Sequence, residues 1–546
     1  MKENNNLKIH FIVLIIILTL IVTFAFYKMN LGNSRLLIEH CNMLPGADGC
    51  EKYVGKYKET GKLFSRNVEN LELSQEPSVY SVGANQLIQL SIDPVKTNIQ
   101  GKEIRTYGYN GQIPGTLLKV KQGDVIFVNV TNNLEQDTTV HWHGIRLKNE
   151  FDGIPHTTQD PIQPSKSFIY ELTFPDAGIY WYHPHEREDY QQELGLYGNI
   201  LVEPSNESYY NKVNREEFLF LDDIQITEGD VTPTYENKIS QVLMGRFGNV
   251  MLVNGRESYN ITINKGDMVR FYLTNVANTR LFNFSIESTK LKLVGSDGGI
   301  YEREFYSDSL IIAPSERATI EALFDKPGIY KILHANPVST YVLGYITVLN
   351  QKTSEDLSNT FSKLRENNLI GNDLGEYRDF INQEPNVSLK LDIDFPGMNA
   401  LGQNIKMNHA DETGLEWEDG IMHNTNLASS NNTVHWLITD AKTGKSNMDI
   451  MYNWKVGDKI KIRIINDEDS AHPMQHPIHL HGQRFLVLAT DGVPNDNLVW
   501  KDTVLVPTGK SVDILVDMTN PGKWMTHCHI AEHLSDGMMF EFEVEG

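Results

Sequence analysis

The chain has 546 residues, too many for one hydrophobic core and suited to three or four domains. Its 48 Lys and Arg against 71 Asp and Glu leave a formal charge of −23, which argues against a nucleic-acid partner. The acidic balance fits a neutral or cationic partner, with general surface solvation as an equal reading.

At the N-terminus, Lys2 and Lys8 precede an uncharged run from Phe11 to Tyr27, interrupted only by Thr19 and Thr23. That length is at the short edge for a membrane span and somewhat long for a signal core. Ala25-Phe26-Tyr27-Lys28 is bulky and offers no clean small-x-small cleavage site. Residues 1–28 are therefore expected to be an uncleaved signal anchor, amine end inside, with a cleaved signal peptide as the alternative. Both put the body of the protein outside the cytoplasmic membrane, anchored or secreted. Residues 29–75 are polar and aperiodic and read as a stalk. Two of the three cysteines, Cys41 and Cys50, flank a short Pro/Gly/Asp loop there. In an oxidising compartment they are expected to pair, and a metal-capturing loop with His40 and Met43 is the second reading.

A pattern then recurs three times. Leu117-Leu118-Lys119-Val120-Lys121-Gln122-Gly123-Asp124 leads into Val125 to Val130, Ile261 to Asp267 leads into Met268 to Leu273, and Trp454 to Asp458 leads into Lys459 to Ile464. Each reads as strand, Gly-Asp turn, strand, with β-branched alternation. A second marker also comes three times: Gly178-Ile179-Tyr180, Gly328-Ile329-Tyr330 and Gly522-Lys523-Trp524. Repetition at this spacing predicts an all-β chain of three related β-sandwich domains, at 76–206, 207–352 and 384–546. Residues 353–383 read as a helical connector. Residues 396–433 read as an irregular insertion holding Met398, Met407, His409, Glu416, Glu418, Asp419, Met422 and His423, either a solvated loop or a substrate loop.

The modules differ in their histidines. The first carries His141-Trp142-His143 and His183-Pro184-His185, and the third His476-Pro477-Ile478-His479-Leu480-His481 and His527-Cys528-His529. The second has Phe282 to Ile286 and a lone His334 at the matching places, so it is expected to be a spacer with His334 structural. Alternate residues of a strand share a face, so each His-x-His offers two imidazoles on one side. Cys528 then faces away from His527 and His529, joining a thiolate ligand to two imidazoles by a short covalent path. Cys528, His533 five residues on, Met538 ten on, and one histidine from the 476–481 run are the soft trigonal-plus-axial ligands of a blue-copper electron-transfer site. Four His-x-His pairs supply enough nitrogen for three further copper ions.

These four segments, in this order, make the chain resemble the multicopper oxidases from about residue 76 to its end. The resemblance implies three cupredoxin-like Greek-key domains, four coppers, and oxidation of a substrate coupled to reduction of dioxygen to water. It further implies a type-1 copper on His476, Cys528, His533 and axial Met538, and a type-2 copper on His141 and His479. The type-3 pair would take His143, His183 and His529 on one ion and His185, His481 and His527 on the other, the division being less firm than the set. Asp152 matches an acidic residue near the type-2 site and is expected to relay protons, a turn cap being the plainer reading. Where several bacterial relatives carry an acid after the last ligand histidine this chain has Leu534, with Glu532 on the other side. Asp502 is expected to be structural, and His10, His156 and His435 receive no role.

Electrons would enter at His476 or His533. Met474 matches a position near the copper edge in copper-oxidising relatives, and His472 stands where they have an acid. The reductant is thus a phenol or other aromatic, or an ion such as Cu(I), Fe(II) or Mn(II). A monomer is expected. A copper nitrite reductase and a non-catalytic copper-binding surface protein are the alternatives from other classes.

Overall fold

The computed structural model describes residues 65–231, 238–394, 410–418 and 435–546. The expected anchor at 1–28 and the Cys41–Cys50 loop lie outside these. Among the described residues no helix is long and apolar enough to cross a membrane.

Strands dominate, and apart from a two-stranded hairpin, Ile226–Thr227 with Asp230–Val231, they form three successive pairs of sheets among the described residues. In each pair one sheet has the same strand order. It runs Leu117–Lys121, Gly198–Glu203, Gly178–His183, His141–His143 in the first, and Tyr259–Lys265, Thr340–Lys352, Gly328–Ala335, Phe282–Ile286 in the second. In the third it runs Met451–Lys455, Met539–Glu545, Gly522–Cys528, His476–Leu480. The repeated sequence pattern is therefore a repeated topology. At all three Gly-Asp turns the glycine is left-handed, with φ of 91°, 92° and 97° at Gly123, Gly266 and Gly457, a conformation other residues adopt at a cost.

In the opposite sheet of the first sandwich, Val125–Asn132 shows half-buried alternation, every second residue being buried, whereas Met268–Asn275 in that of the second is buried throughout. The histidine-bearing strands do not alternate. His141–His143, Gly178–His183 and His476–Leu480 are buried throughout, because they are covered on both faces. Each larger sandwich has its own apolar core, Phe271, Phe284 and Ile320 in the second and Trp436, Phe485, Trp524 and Phe540 in the third. Val95, Ile113 and Trp181 of the first sandwich pack with Phe220 and Val276 of the second.

Before the first sandwich, Ser74 N–H donates to the Lys96 carbonyl (2.8 Å), so the end of the expected stalk lies against the first domain. The connector holds the short helices Ser358–Phe361 and Asn368–Leu374 and the 3-10 turn Gly375–Phe380. Of the expected insertion only 410–418 is described, so Met398, Met407, His409, Asp419, Met422 and His423 lie outside the described residues.

Candidate metal centres

Strand Gly522–Cys528 lies between Met539–Glu545 and His476–Leu480, with Cys528 opposite Ile478 and His527 opposite His479. After Cys528 the chain enters the short helix Ala531–Ser535, which turns His533 back over the thiol. Cys528 Sγ lies 3.5 Å from His476 Nδ1 and 3.7 Å from His533 Nδ1, and the two nitrogens are 3.3 Å apart. The centre of such a triangle is roughly 2 Å from each corner, close to the bond length of a first-row metal to imidazole and a little short for thiolate. The donor set and its spacing fit one copper ion. Met538 is buried in the same core as Cys528, and its carbonyl accepts the Cys528 N–H (3.1 Å).

Burial pushes the Cys528 thiol up, so the thiolate needs a cation beside it. Burial also pushes His476 down to about 3 and holds His533 well below the usual histidine range. Both rings are neutral near pH 7, as metal ligands must be. Trp436 stacks on His533 at 4.2 Å and meets His476 edge-on at 4.8 Å. Its Nε1–H donates to the Val242 carbonyl of the second sandwich (2.7 Å).

On the far side of Cys528 eight imidazoles from the first and third sandwiches meet. His141 pairs with His183 across neighbouring strands. His141 lies 4.1 Å from His481 and His143 lies 3.7 Å from His479, ring centre to ring centre. His185 is 5.2 Å from His481 and 5.3 Å from His527, and His529 is 5.2 Å from His143 and 5.3 Å from His183. Ligand nitrogens of His141, His479 and His481 fall within 4.8 Å of one another, as do those of His141, His143 and His183 and those of His185, His481 and His527.

Most of these rings are anchored by one nitrogen. His141 Nδ1–H donates to the Asp152 carbonyl (2.8 Å), His481 Nδ1–H to Asp152 Oδ2 (3.0 Å) and His479 Nδ1–H to the Asp502 carbonyl (2.8 Å). His183 and His527 donate Nδ1–H to the carbonyls of Pro184 (2.8 Å) and Cys528 (2.9 Å). His143 is reversed, its Nε2–H donating to Asp502 Oδ1 (3.0 Å). The opposite nitrogens of His141, His143, His183 and His479, with Nε2 of His185 and His529, are buried and make no hydrogen bond. His481 Nε2 and His527 Nε2 face each other at 3.0 Å. Orphaned buried nitrogens are costly, and this many converging on one space fit a set of metal ions. Burial, and then the neighbouring imidazoles, hold His183, His185, His479, His481 and His529 well below the usual range, and burial pushes His527 down to about 4.

The acids are distributed differently from the expectation. Asp152 spans two sandwiches by holding His141 and His481. Asp502, expected to be merely structural, orients His143 and His479 together. Glu188 was not singled out, yet its Oε1 lies 3.2 Å from His185 Nε2; its place three residues after His185 was the available signal. Glu532 is buried beside Asn278 (3.4 Å), and burial pushes it up to about 8 despite nearby Arg246. Neither Met474 nor His472 reaches the surface. The Met474 carbonyl accepts Asn466 Nδ2–H (2.7 Å), and His472 Nε2–H donates to the Leu243 carbonyl (3.1 Å). His334 is only half satisfied, its Nδ1 accepting the Asn283 N–H (3.1 Å) while Nε2 has no partner.

Three family signatures, each described as multicopper oxidase, match residues 91–207, 222–350 and 418–546. The chain is 28% identical over 447 residues to "Multicopper oxidase mco" of Staphylococcus haemolyticus, covering 80% of this chain and 84% of that one. It is 25% identical over 470 residues to "Laccase-1" of Botryotinia fuckeliana, covering 80% and 78%. A solved structure of a multicopper oxidase from Campylobacter jejuni, described as a metallo-oxidase, superposes with a TM-score of 0.63 at 23% identity, covering 89% of this chain and all of that one.

Proposed function

The chain belongs to the multicopper oxidase family, and on that premise we propose how its residues divide the work of an oxidoreductase that uses dioxygen. His476, Cys528 and His533, with Met538 buried in the same core, would hold the type-1 copper. His141 and His479 hold the type-2 copper, while His143, His183 and His529, and His185, His481 and His527, hold the type-3 pair. The four coppers supply one-electron acceptance from the substrate and four-electron reduction of dioxygen to water.

The observation carrying this reading is the convergence of eight imidazoles on a space directly behind Cys528. His527 and His529 are bonded neighbours of the cysteine, so the two centres share one strand. Asp152 anchors one imidazole of the first sandwich through its carbonyl and one of the third through Oδ2, and with Oδ1 3.3 Å from His141 Nδ1 its carboxylate is placed to relay protons to the oxygen-reducing space. A copper nitrite reductase needs a single type-2 site and leaves most of these imidazoles without a task. A copper store has no need of a thiolate wired to a second cluster.

Electrons from the reductant enter through His476 or His533. A phenol or aromatic, as the laccase relative's name suggests, and a metal ion, as the metallo-oxidase's does, are both within the reading. Burial of Met474 and His472 weighs against their being an exposed landing site. The working body lies outside the cytoplasmic membrane, as an anchor or signal at 1–28 would place it, and acts with no nucleic-acid partner and as a monomer. An oxygen electrode with a phenol, Cu(I), Fe(II) and Mn(II) side by side tests the whole reading: oxygen uptake with none of them, in copper-loaded protein, would defeat it.

A further inference from the structure

The middle sandwich contributes none of the imidazoles that face the cluster, yet one of its side chains reaches their supports. Arg317 opens the strand Arg317–Leu323 and is buried where groups of all three sandwiches meet. Its two terminal nitrogens donate to the two carboxylate oxygens of Asp502, at 2.6 Å each. Its Nε–H donates to the Ile179 carbonyl of the first sandwich (3.1 Å), and its main-chain N–H to Asp297 Oδ1 (2.8 Å). Asp297 also holds Lys501, the residue before Asp502, at 3.1 Å. A guanidinium fork on a carboxylate fixes its direction as well as its charge.

Asp502 passes that direction on. Its side chain receives His143 Nε2–H and its carbonyl receives His479 Nδ1–H, so the two rings are held in opposite tautomers. The Thr503 hydroxyl stands 3.2 Å from both of these nitrogens. Space for the Arg317–Asp502 pair comes from Gly144, directly after His143. A Cβ there would stand 2.3 Å from Asp502 Oδ2 and 2.8 Å from Arg317.

We propose, resting on the reading of His143 and His479 as copper ligands, that Arg317 is a positioning residue of the oxygen-reducing centre. It holds Asp502 so that His143 offers Nδ1 and His479 offers Nε2 to the metals. The ligand-free middle sandwich is then part of the metal site and not only a spacer.

The test compares copper-loaded wild type, Arg317→Met, Arg317→Lys and Asp502→Asn by copper per chain, the type-2 electron paramagnetic resonance signal and the visible thiolate band. Loss of an outer support of this kind lowers metal affinity about 10–100-fold. Arg317→Met should lose cluster copper and the type-2 signal while keeping the thiolate band, and Arg317→Lys should lose less. Asp502→Asn should show the same selective loss and decides the matter if Arg317→Met does not accumulate. A full copper complement with an unchanged type-2 signal in Arg317→Met or Asp502→Asn, even in a less stable protein, overturns the inference. So does equal loss of both centres, which marks a general packing defect. Wild type that takes no cluster copper takes down the ligand reading and this inference together.

Discussion

His143 and His479 lie ring on ring, 3.7 Å apart with planes inclined by 20°, although one belongs to the first sandwich and the other to the third. Each gives one nitrogen to Asp502 and turns the other into a space shared with six more imidazoles. Buried neutral rings with unpaired nitrogens are unfavourable without an occupant, so the pair ties the join between the sandwiches to what fills that space.

Replacing Cys528 by Ser should abolish the intense visible thiolate-to-copper band and reduce oxygen consumption to background. The fold should remain, since the two side chains are nearly the same size. Absorption, circular dichroism and an oxygen electrode check this together, and full turnover in the variant would refute the assignment of the electron-entry site.

Asp152→Ala removes the carboxylate beneath His481 but leaves the carbonyl beneath His141. Copper affinity or turnover should fall about 10–100-fold. Asp152→Asn keeps an acceptor for His481 Nδ1–H yet no longer carries a titratable proton. If Asp152→Asn binds copper normally and turns over slowly, the residue relays protons; if it behaves as wild type, Asp152 only orients.

The copper-free protein should lose stability in acid in a defined direction. Unfolded histidines titrate near 6.5, whereas burial holds His476 at about 3 and His527 at about 4 in the fold. Below about pH 6.5 the unfolded chain binds more protons, so stability falls as pH drops toward the folded values and is unaffected by these groups above that range. Each such imidazole contributes up to about 1.4 kcal/mol per pH unit. Urea unfolding of the apoprotein at pH 7.5, 6.5 and 5.5 measures it, and a flat profile would contradict the burial of these rings as neutral species.

Trp436→Ala should cost about 3–5 kcal/mol, the usual cost of emptying a large aromatic site. It should also shift the visible band, because the ring that stacks on His533 is gone. Trp436→Phe keeps a smaller aromatic face and loses the Nε1–H bond to Val242. It should therefore be milder on both readouts, followed by thermal unfolding and absorption.

Gly144→Ala should be poorly tolerated. Its φ of 83° strains any side chain by about 1–3 kcal/mol, and the added methyl would press on Asp502. The expected result is reduced apoprotein stability together with weaker cluster copper binding. An alanine variant with wild-type copper content and melting behaviour would contradict the closeness of that contact.

Much of the architecture was legible in residues alone, for local reasons. Period-two alternation predicts two imidazoles on one face for His-Trp-His, His-Pro-His, His-Leu-His and His-Cys-His, with Cys528 on the other; in the structure only His141–His143 lies wholly in a strand, the strands of the other three pairs ending at His183, Leu480 and Cys528. The three Gly-Asp turns recur because one residue in each must be left-handed, and that repetition announces the three sandwiches. The absence of such histidines around Phe282 to Ile286 likewise shows in the sequence which sandwich lacks ligands.

What tertiary structure decided is which nitrogen of each ring faces inward and what holds it there. His479 depends on a carbonyl at Asp502, 23 residues on in the same sandwich, and His481 on a carboxylate at Asp152 in the first sandwich. Arg317 sits in a strand with no motif around it, and Trp436 follows a segment with no periodicity. Hydrogen-bond partners across sandwiches are chosen by how the domains pack, and no local spacing encodes that choice. Hence the ligands could be read from the sequence, while the groups that orient them required the fold.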